Sequence, residues 1–174
     1  TSSVNFPVLY LLHDTDDGQA DENLISTFSL LRNNMVSGKL TKSIVVEIPV
    51  GTMEISSALM MEIVGLIDTG YHSISNRQGR VLLGNEGGGT LATTLVLDNP
   101  QVFASCYLFN ALLPDVSIGA TGEVFYYLDA TDECSSYRGN HQLYAEIKNE
   151  NIDYEYRVRQ GSQNYQAFLN GLEG

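Results

Sequence analysis

Glu86 stands at the centre of Gly84-Asn85-Glu86-Gly87-Gly88, between the apolar run Arg80-Val81-Leu82-Leu83 and Gly89-Thr90-Leu91-Ala92. The spacing predicts a strand, a sharp turn and a helix start, with small residues placed where bulk two positions from the centre would clash. In G-x-S-x-G turns of this kind the central side chain is a nucleophilic serine. A carboxylate cannot do with a histidine what a serine hydroxyl does. The pattern therefore leaves three readings: a hydrolytic enzyme, an enzyme wired differently, or a scaffold kept for binding.

Other acidic residues cluster in the same way. Asp14, Asp16, Asp17, Asp132 and Glu133 follow apolar runs of strand length, and with Glu86 they are expected near one rim of a sheet. Calcium takes roughly six to eight oxygens, and Asp14-Thr15-Asp16-Asp17-Gly18 has some likeness to a calcium loop. The helix-loop-helix calcium pattern closes on a glutamate, however, and this chain has Ile25 there, so solvated acidic loops are the simpler reading and no metal or cofactor is expected. A glycosidase would need two carboxylates at a fixed separation across a sugar, which spacing along a chain does not supply. Of the three histidines, His72 and His141 are expected in structural or surface roles, and only His13 is placed to approach the rim.

These residues need a frame to hold them. Apolar runs of strand length alternate with helical patterns, without linker or repeat, which predicts a parallel sheet in an α/β fold. Val8 to Leu12 reads as a strand covered on both faces and ending in the polar turn His13 to Gly18. A helix capped by Asp21 carries Leu24, Ile25, Phe28, Leu31 and Met35 inward as far as Gly38. Ile44 to Ile48 is a second strand. A helix from about Glu54 buries Leu59, Met60, Ile63, Val64 and Ile67, with Met60 and Met61 as core filling. Val81 to Leu83 feeds the turn at Glu86, and the helix behind it runs to Asn99-Pro100. Ala104 to Phe109, Val124 to Leu128 and Tyr154 to Val158 are three further strands, the last at the sheet edge with Glu155 and Arg157 exposed. Helices over 137–149 and 165–172 complete about six strands with helices on both faces, and function is expected at the C-terminal ends of the strands.

Composition narrows the function classes. The chain has 174 residues, 43% of them hydrophobic, enough for one domain spanning 1–174. With 21 acidic against 9 basic residues and a net charge of −12, it repels phosphate backbones, so nucleic acid is not an expected partner. No apolar run is long enough to span a membrane, and Thr1-Ser2-Ser3 lacks the character of a signal peptide. Cys106 and Cys134 fit neither a disulfide framework nor a zinc site and are expected as buried or free thiols.

Over nearly its whole length the chain resembles the esterase D-like family of α/β-hydrolases, which includes feruloyl and acetyl-xylan esterases, S-formylglutathione hydrolases and mycolyltransferases. Phe6-Pro7-Val8-Leu9-Tyr10-Leu11-Leu12-His13 resembles the family's first core strand, which ends in P-V-L-Y-L-L-H-G, and Val45-Val46-Glu47-Ile48-Pro49 resembles the next. Gly79 to Gly88 resembles the nucleophile-elbow strand, and Asn99-Pro100-Gln101-Val102-Phe103-Ala104 the link beyond it. Tyr127-Leu128-Asp129-Ala130-Thr131-Asp132-Glu133 resembles the acid loop, and Arg159-Gln160-Gly161-Ser162-Gln163-Asn164-Tyr165 the histidine loop. The resemblance implies a three-layer sandwich that lacks the family's opening antiparallel strands, with shortened loops after Pro49 and Pro114.

It also implies a degenerate triad. Glu86 occupies the serine slot, Glu133 the acid slot and Gln163 the histidine slot, and glutamine supplies no imidazole to act as a base. In the oxyanion region, formed by His13, Asp14 and Gly87, Asp14 replaces a glycine and brings a negative charge towards the backbone donors. Glu86, at a helix N-terminus, is expected to accept free backbone N–H bonds. The expected function is a catalytically inactive esterase-like domain kept for binding a carbohydrate or protein partner. The alternative is an active carboxylic-ester hydrolase with a non-standard arrangement. Asp16, Asp17, Asn110, Asp132, Tyr137 and Tyr165 are the candidate ligand contacts, with Tyr107 and Phe109 as further aromatics near the mouth. Kinship with polysaccharide-degrading relatives implies an extracellular or cell-surface location, with a cytoplasmic one as the alternative. Oligomeric state has no sequence signal.

Overall fold

Alternation along the strands sorts the apolar side chains into two layers. In a computed structural model describing residues 4–14, 20–51, 54–111, 113, 118 and 123–173, the elements follow in the order β1 (Val8–Asp14), α1 (Ala20–Ser37), β2 (Ile44–Val50), α2 (Ser57–Gly70), β3 (Arg80–Asn85), α3 (Gly87–Asp98), β4 (Ser105–Phe109), β5 (Phe125–Thr131), α4 (Tyr137–Asn149), β6 (Tyr154–Arg159) and α5 (Tyr165–Glu173). The six strands form one parallel sheet in the order β2-β1-β3-β4-β5-β6. Val8, Tyr10 and Leu12 of β1 join Leu82, Cys106, Leu108, Tyr126 and Leu128 on one face, under α2, α3 and α4. Leu9 and Leu11 join Leu83, Phe109 and Tyr127 on the other, against Leu31 of α1 and Phe168 of α5. Helices thus cover both faces of a three-layer α/β sandwich.

The strand order fixes where a site belongs. From β1 the chain steps outward to β2, crosses back to β3 on the far side of β1, and proceeds from there to β6. The step to β2 uses a helix on one face and the later steps use helices on the other, as a constant crossover hand requires. The reversal between β1 and β3 is a topological switch point, where a crevice opens beyond the carboxyl ends of the strands. Those ends carry His13 and Asp14 on β1, and Asn85 and Glu86 on and after β3.

Several boundaries differ from the sequence reading for identifiable reasons. His13 and Asp14 belong to β1, because β2 continues beside them and pairs with them at Pro49 and Val50. Among the described residues α1 already includes Ala20, so Asp21 stands within the helix and not at the N-cap position before it. On α1 the inward face includes Thr27, 1% exposed, while Ile25 is 65% exposed. Helix α2 begins at Ser57, since the Ser56 side chain accepts the Leu59 N–H at 3.2 Å and caps it there. Strand β6 lies at the sheet edge as expected. Met60 is fully buried and Met61 packs on the same core.

Both cysteines are free and buried. Burial pushes the Cys106 thiol far up, so it carries no thiolate for chemistry. Among the described residues no helix is long and apolar enough to cross a membrane.

Candidate functional site

β3 delivers the chain to Glu86 in a backbone conformation that few non-glycine residues adopt, with φ 51° and ψ −117°. Such a residue costs about 1–3 kcal/mol and persists only where its surroundings over-determine it. Here they do. The Glu86 N–H donates to the Phe109 carbonyl at 2.8 Å, and the Glu86 carbonyl accepts from Thr90 N at 3.0 Å and Thr90 Oγ1 at 3.2 Å. The glycines make the bend possible: a Cβ on Gly84 would run into the Gly88 backbone, and one on Gly88 into the Leu12 carbonyl of β1. This is the geometry of a nucleophile elbow.

Glu86 occupies the N-cap position of α3, yet its side chain makes no capping hydrogen bond, contrary to expectation. An N-cap side chain reaches the helix N–H groups from extended backbone, and positive φ swings Glu86 away from them. Glu86 is instead among the residues lining the cavity at the mouth.

In elbows of this form the N–H of the residue after the nucleophile position helps to bind an oxyanion. That residue is Gly87, and a Cβ built on it would lie 2.7 Å from Asp14 Oδ2. The Asp14 carboxylate therefore lies against Gly87, the residue whose N–H an oxyanion would need. An anion developing at that point would meet a negative charge.

A cavity of about 320 Å³ opens at the switch point, lined by Leu11, Leu12, His13, Asp14, Thr27, Asn85, Glu86, Tyr165 and Phe168. Four residues named from sequence or its resemblance, His13, Asp14, Glu86 and Tyr165, thus share one wall system, and Gly87 adjoins it. His13 is 8% exposed; its Nδ1 has no hydrogen-bond partner and lies 3.9 Å from Glu47 Oε1. Asn85, Thr27 and Phe168 were not singled out from sequence. The signal for Asn85 was its place inside the elbow, and for Thr27 its polarity on the buried stripe of α1.

The loops after β5 and β6 are pinned to each other. Asp132 Oδ1 accepts the Gly161 N–H at 2.9 Å, and the Glu133 N–H donates to the Gly161 carbonyl at 3.2 Å. The segment carrying the acid slot therefore holds the segment carrying Gln163, but the Glu133 side chain is exposed and neither residue lines the cavity. Beneath them lies a buried ion pair. Asp129, 3% exposed, accepts from Arg159 Nε at 3.0 and 2.7 Å and from the Tyr127 hydroxyl at 3.2 Å. The Tyr127 hydroxyl is pushed up to about 12, first by burial and then by Asp129, so it stays a donor. Asp129→Ala strands the partly buried guanidinium, and a loss of about 3 kcal/mol is expected, at the lower end for a broken buried pair. Urea unfolding with an unchanged m-value would check it; a loss below 1 kcal/mol would mean that solvent holds Arg159 just as well.

The remaining candidates disperse. Asn110 is 3% exposed with φ 46°, and its Oδ1 accepts from Thr131 N at 2.9 Å and Thr131 Oγ1 at 3.2 Å; it latches β4 to β5 and is not among the residues lining the cavity. Tyr137 stacks on His141 along α4, ring centroids 6.3 Å apart, away from the cavity. Tyr107 and Phe109 line a second cavity of about 550 Å³ between α1, α5 and the sheet. Asp16, Asp17 and the segment after Pro114 lie outside the described residues. Among the described residues no three His, Cys, Asp or Glu side chains gather in a metal-holding arrangement.

No protein-family model matches the chain, and no curated protein matches it in sequence. Solved structures do match in fold. A ferulic acid esterase superposes with a TM-score of 0.78 at 20% identity, covering 98% of this chain and 83% of its own. The S-formylglutathione hydrolase FrmB of Staphylococcus aureus gives 0.71 at 12% identity, with 99% and 80% covered. The enterobactin esterase FES of Shigella flexneri gives 0.76 at 17% identity, with 99% of this chain and 52% of that one covered. The chain has the α/β-hydrolase fold of these structures.

Proposed function

We propose that this esterase-like domain does not turn over esters and keeps its mouth for binding. The observation that carries the reading is the pair of carboxylates at the reaction centre: Glu86 on the strained elbow and Asp14 against Gly87. Acyl transfer requires a neutral nucleophile that gives up a proton, a base to take it, and donors for the oxyanion. Glu86 cannot give up a proton to a base, Gln163 cannot take one, and Asp14 opposes the anion. The cavity survives nonetheless, with a polar rim and an aromatic wall. A carbohydrate or protein ligand, met outside the cell, is the setting that kinship with the esterase fold suggests.

The second reading, hydrolysis by a non-standard arrangement, draws on His13 lining the same cavity as Glu86. A panel of p-nitrophenyl acetate and feruloyl and acetyl-xylan esters separates the two. The wild-type chain is expected to show no turnover above a Glu86→Ala control. Saturable turnover that disappears in Glu86→Ala and His13→Ala would establish the second reading and end the first.

A further inference from the structure

Strands β2 and β6 bound the sheet, and their outer sides differ. An edge strand presents unpaired N–H and C=O groups, which proline, bulges or like charges keep from pairing with another chain. On β2, Pro49 offers no donor. β6 reads Tyr154-Glu155-Tyr156-Arg157-Val158-Arg159, without proline, and its register on β5 is unbroken from Tyr154 to Arg159, so it carries no bulge. Among the described residues no strand pairs with its outer side.

The same register says which residues face outward. The Asp153 carbonyl accepts from Tyr126 N at 3.0 Å and the Arg159 carbonyl from Asp132 N at 2.9 Å. Odd-numbered residues of β6 therefore turn their backbone groups to β5, and Tyr154, Tyr156 and Val158 turn theirs out. Side chains alternate between the faces of the sheet. Glu155 and Arg157 pair at 2.6 Å on the face of α1 and α5, with the guanidinium over the Tyr127 ring. Tyr154 and Tyr156 stand on the face of α4, where the Tyr144 ring meets theirs at 5.3 and 4.8 Å. Val158, next along that face, is 48% exposed.

We infer that β6 pairs antiparallel with β6 of a second copy of this chain, about a two-fold axis through Tyr156. A closed dimer of identical chains uses one patch on both, so the strand must complement itself. An axis through Tyr154 would set Glu155 opposite Asp153 of the second copy. One through Val158 would set Arg157 opposite Arg159, and one through Glu155 or Arg157 would set that residue opposite itself. Each of these opposes like charges. Through Tyr156, Glu155 faces Arg157 of the second copy and Arg157 faces its Glu155, while Tyr154 faces Val158 and Tyr156 its own counterpart. The outward backbone groups then meet in pairs, each exchanging two hydrogen bonds, and the half-buried rings and Val158 gain apolar cover. The sequence alone left oligomeric state open because the outward set depends on how β6 lies on β5. No residue of β6 lines the mouth cavity, so the inference does not depend on what binds there.

Sedimentation of the whole chain from about 1 to 300 μM is expected to show monomer in equilibrium with dimer, with a micromolar midpoint as a small interface gives. Glu155→Arg sets like charges opposite each other twice and should weaken association about tenfold or more, although it lowers the net negative charge, which by itself would ease association. Glu155→Arg with Arg157→Glu restores opposite signs and should return the dissociation constant to within about threefold of wild type. Glu155 and Arg157 are 46% and 36% exposed, so this swap leaves the core untouched. Tyr156→Cys would place two Cα atoms about 5.5 Å apart, within disulfide range, and mild oxidation should link the copies. Val158→Cys, with its counterpart roughly 14 Å away, should not link, and the native thiols are buried. Monomer at every concentration would overturn the inference and leave the edge to a strand of another protein. Association indifferent to Glu155→Arg, or linkage at Val158 as fast as at Tyr156, would overturn it by placing the contact elsewhere.

Discussion

Gly88→Ala is expected to remove about 4–5 kcal/mol of stability or more, enough to unfold the chain under conditions in which the wild type is native. A Cβ at this position would drive into the Leu12 carbonyl, with the Leu12 carbonyl carbon at 2.9 Å and its Cβ at 3.4 Å. Leu12 lies in β1, paired on both sides by β2 and β3, so the obstacle is sheet backbone that cannot step aside. Strain of this kind belongs to the exceptional class of single substitutions, and it is large against the roughly 5–15 kcal/mol that holds a domain together. Gly87→Ala is the control. The atom facing that position is Asp14 Oδ2 at 2.7 Å, the far end of a side chain and not sheet backbone, and alanine is worth up to about 1 kcal/mol over glycine within a helix. Its net effect is expected within about 1 kcal/mol. Urea midpoints of the two variants measure the difference, and a Gly88→Ala protein as stable as Gly87→Ala would show that α3 does not pack on β1 as closely as described.

That contrast also marks what the sequence discloses. The elbow was legible because its glycines have no other use: Gly84 and Gly88 answer a steric demand, and Glu86 between them stands out by its charge. Strand positions were legible because Val8 to Leu12 is a continuous apolar run, as a strand covered on both faces requires, and Ile44 to Ile48 is one broken only by Glu47, on the edge strand β2. Boundaries were less so. Whether β1 stops at Leu12 or runs through Asp14 depends on a partner strand more than thirty residues away. The buried stripe of α1 was misread for a related reason, since Ile25 is the more apolar residue but Thr27 is the one turned inward, against Tyr165 of α5. No local pattern announces a contact between the first helix and the last. The mouth cavity takes residues from β1, α1, β3, the elbow and α5, and only those carrying a motif could be picked out in advance. Asn110 looked available because it is polar and follows β4, but its positive φ and its bonds to Thr131 arise from the sheet's own closure.

Rebuilding catalysis should succeed only when Asp14 is removed along with the two triad substitutions. Glu86→Ser alone is expected to give no p-nitrophenyl acetate turnover above an elbow-to-alanine control, because Gln163 leaves the new hydroxyl without a base. Glu86→Ser with Gln163→His supplies both groups, the second in a loop tied to the acid-slot segment through Asp132 and Gly161. The oxyanion must still form at the Gly87 N–H, with the Asp14 carboxylate against that residue. Two negative charges about 4 Å apart repel by about 4 kcal/mol at an effective dielectric of about 20, close to a thousandfold in rate. Removing one oxyanion donor from an enzyme costs about 100- to 1,000-fold, so the two estimates agree in scale. Adding Asp14→Gly to the pair is therefore expected to raise kcat/KM by about two to three orders of magnitude, mostly through kcat, since the oxyanion exists only in the transition state. Equal rates for the double and triple variants would show that Asp14 turns aside when substrate arrives. The barrier to hydrolysis would then lie in the cavity walls and not in the charge beside Gly87.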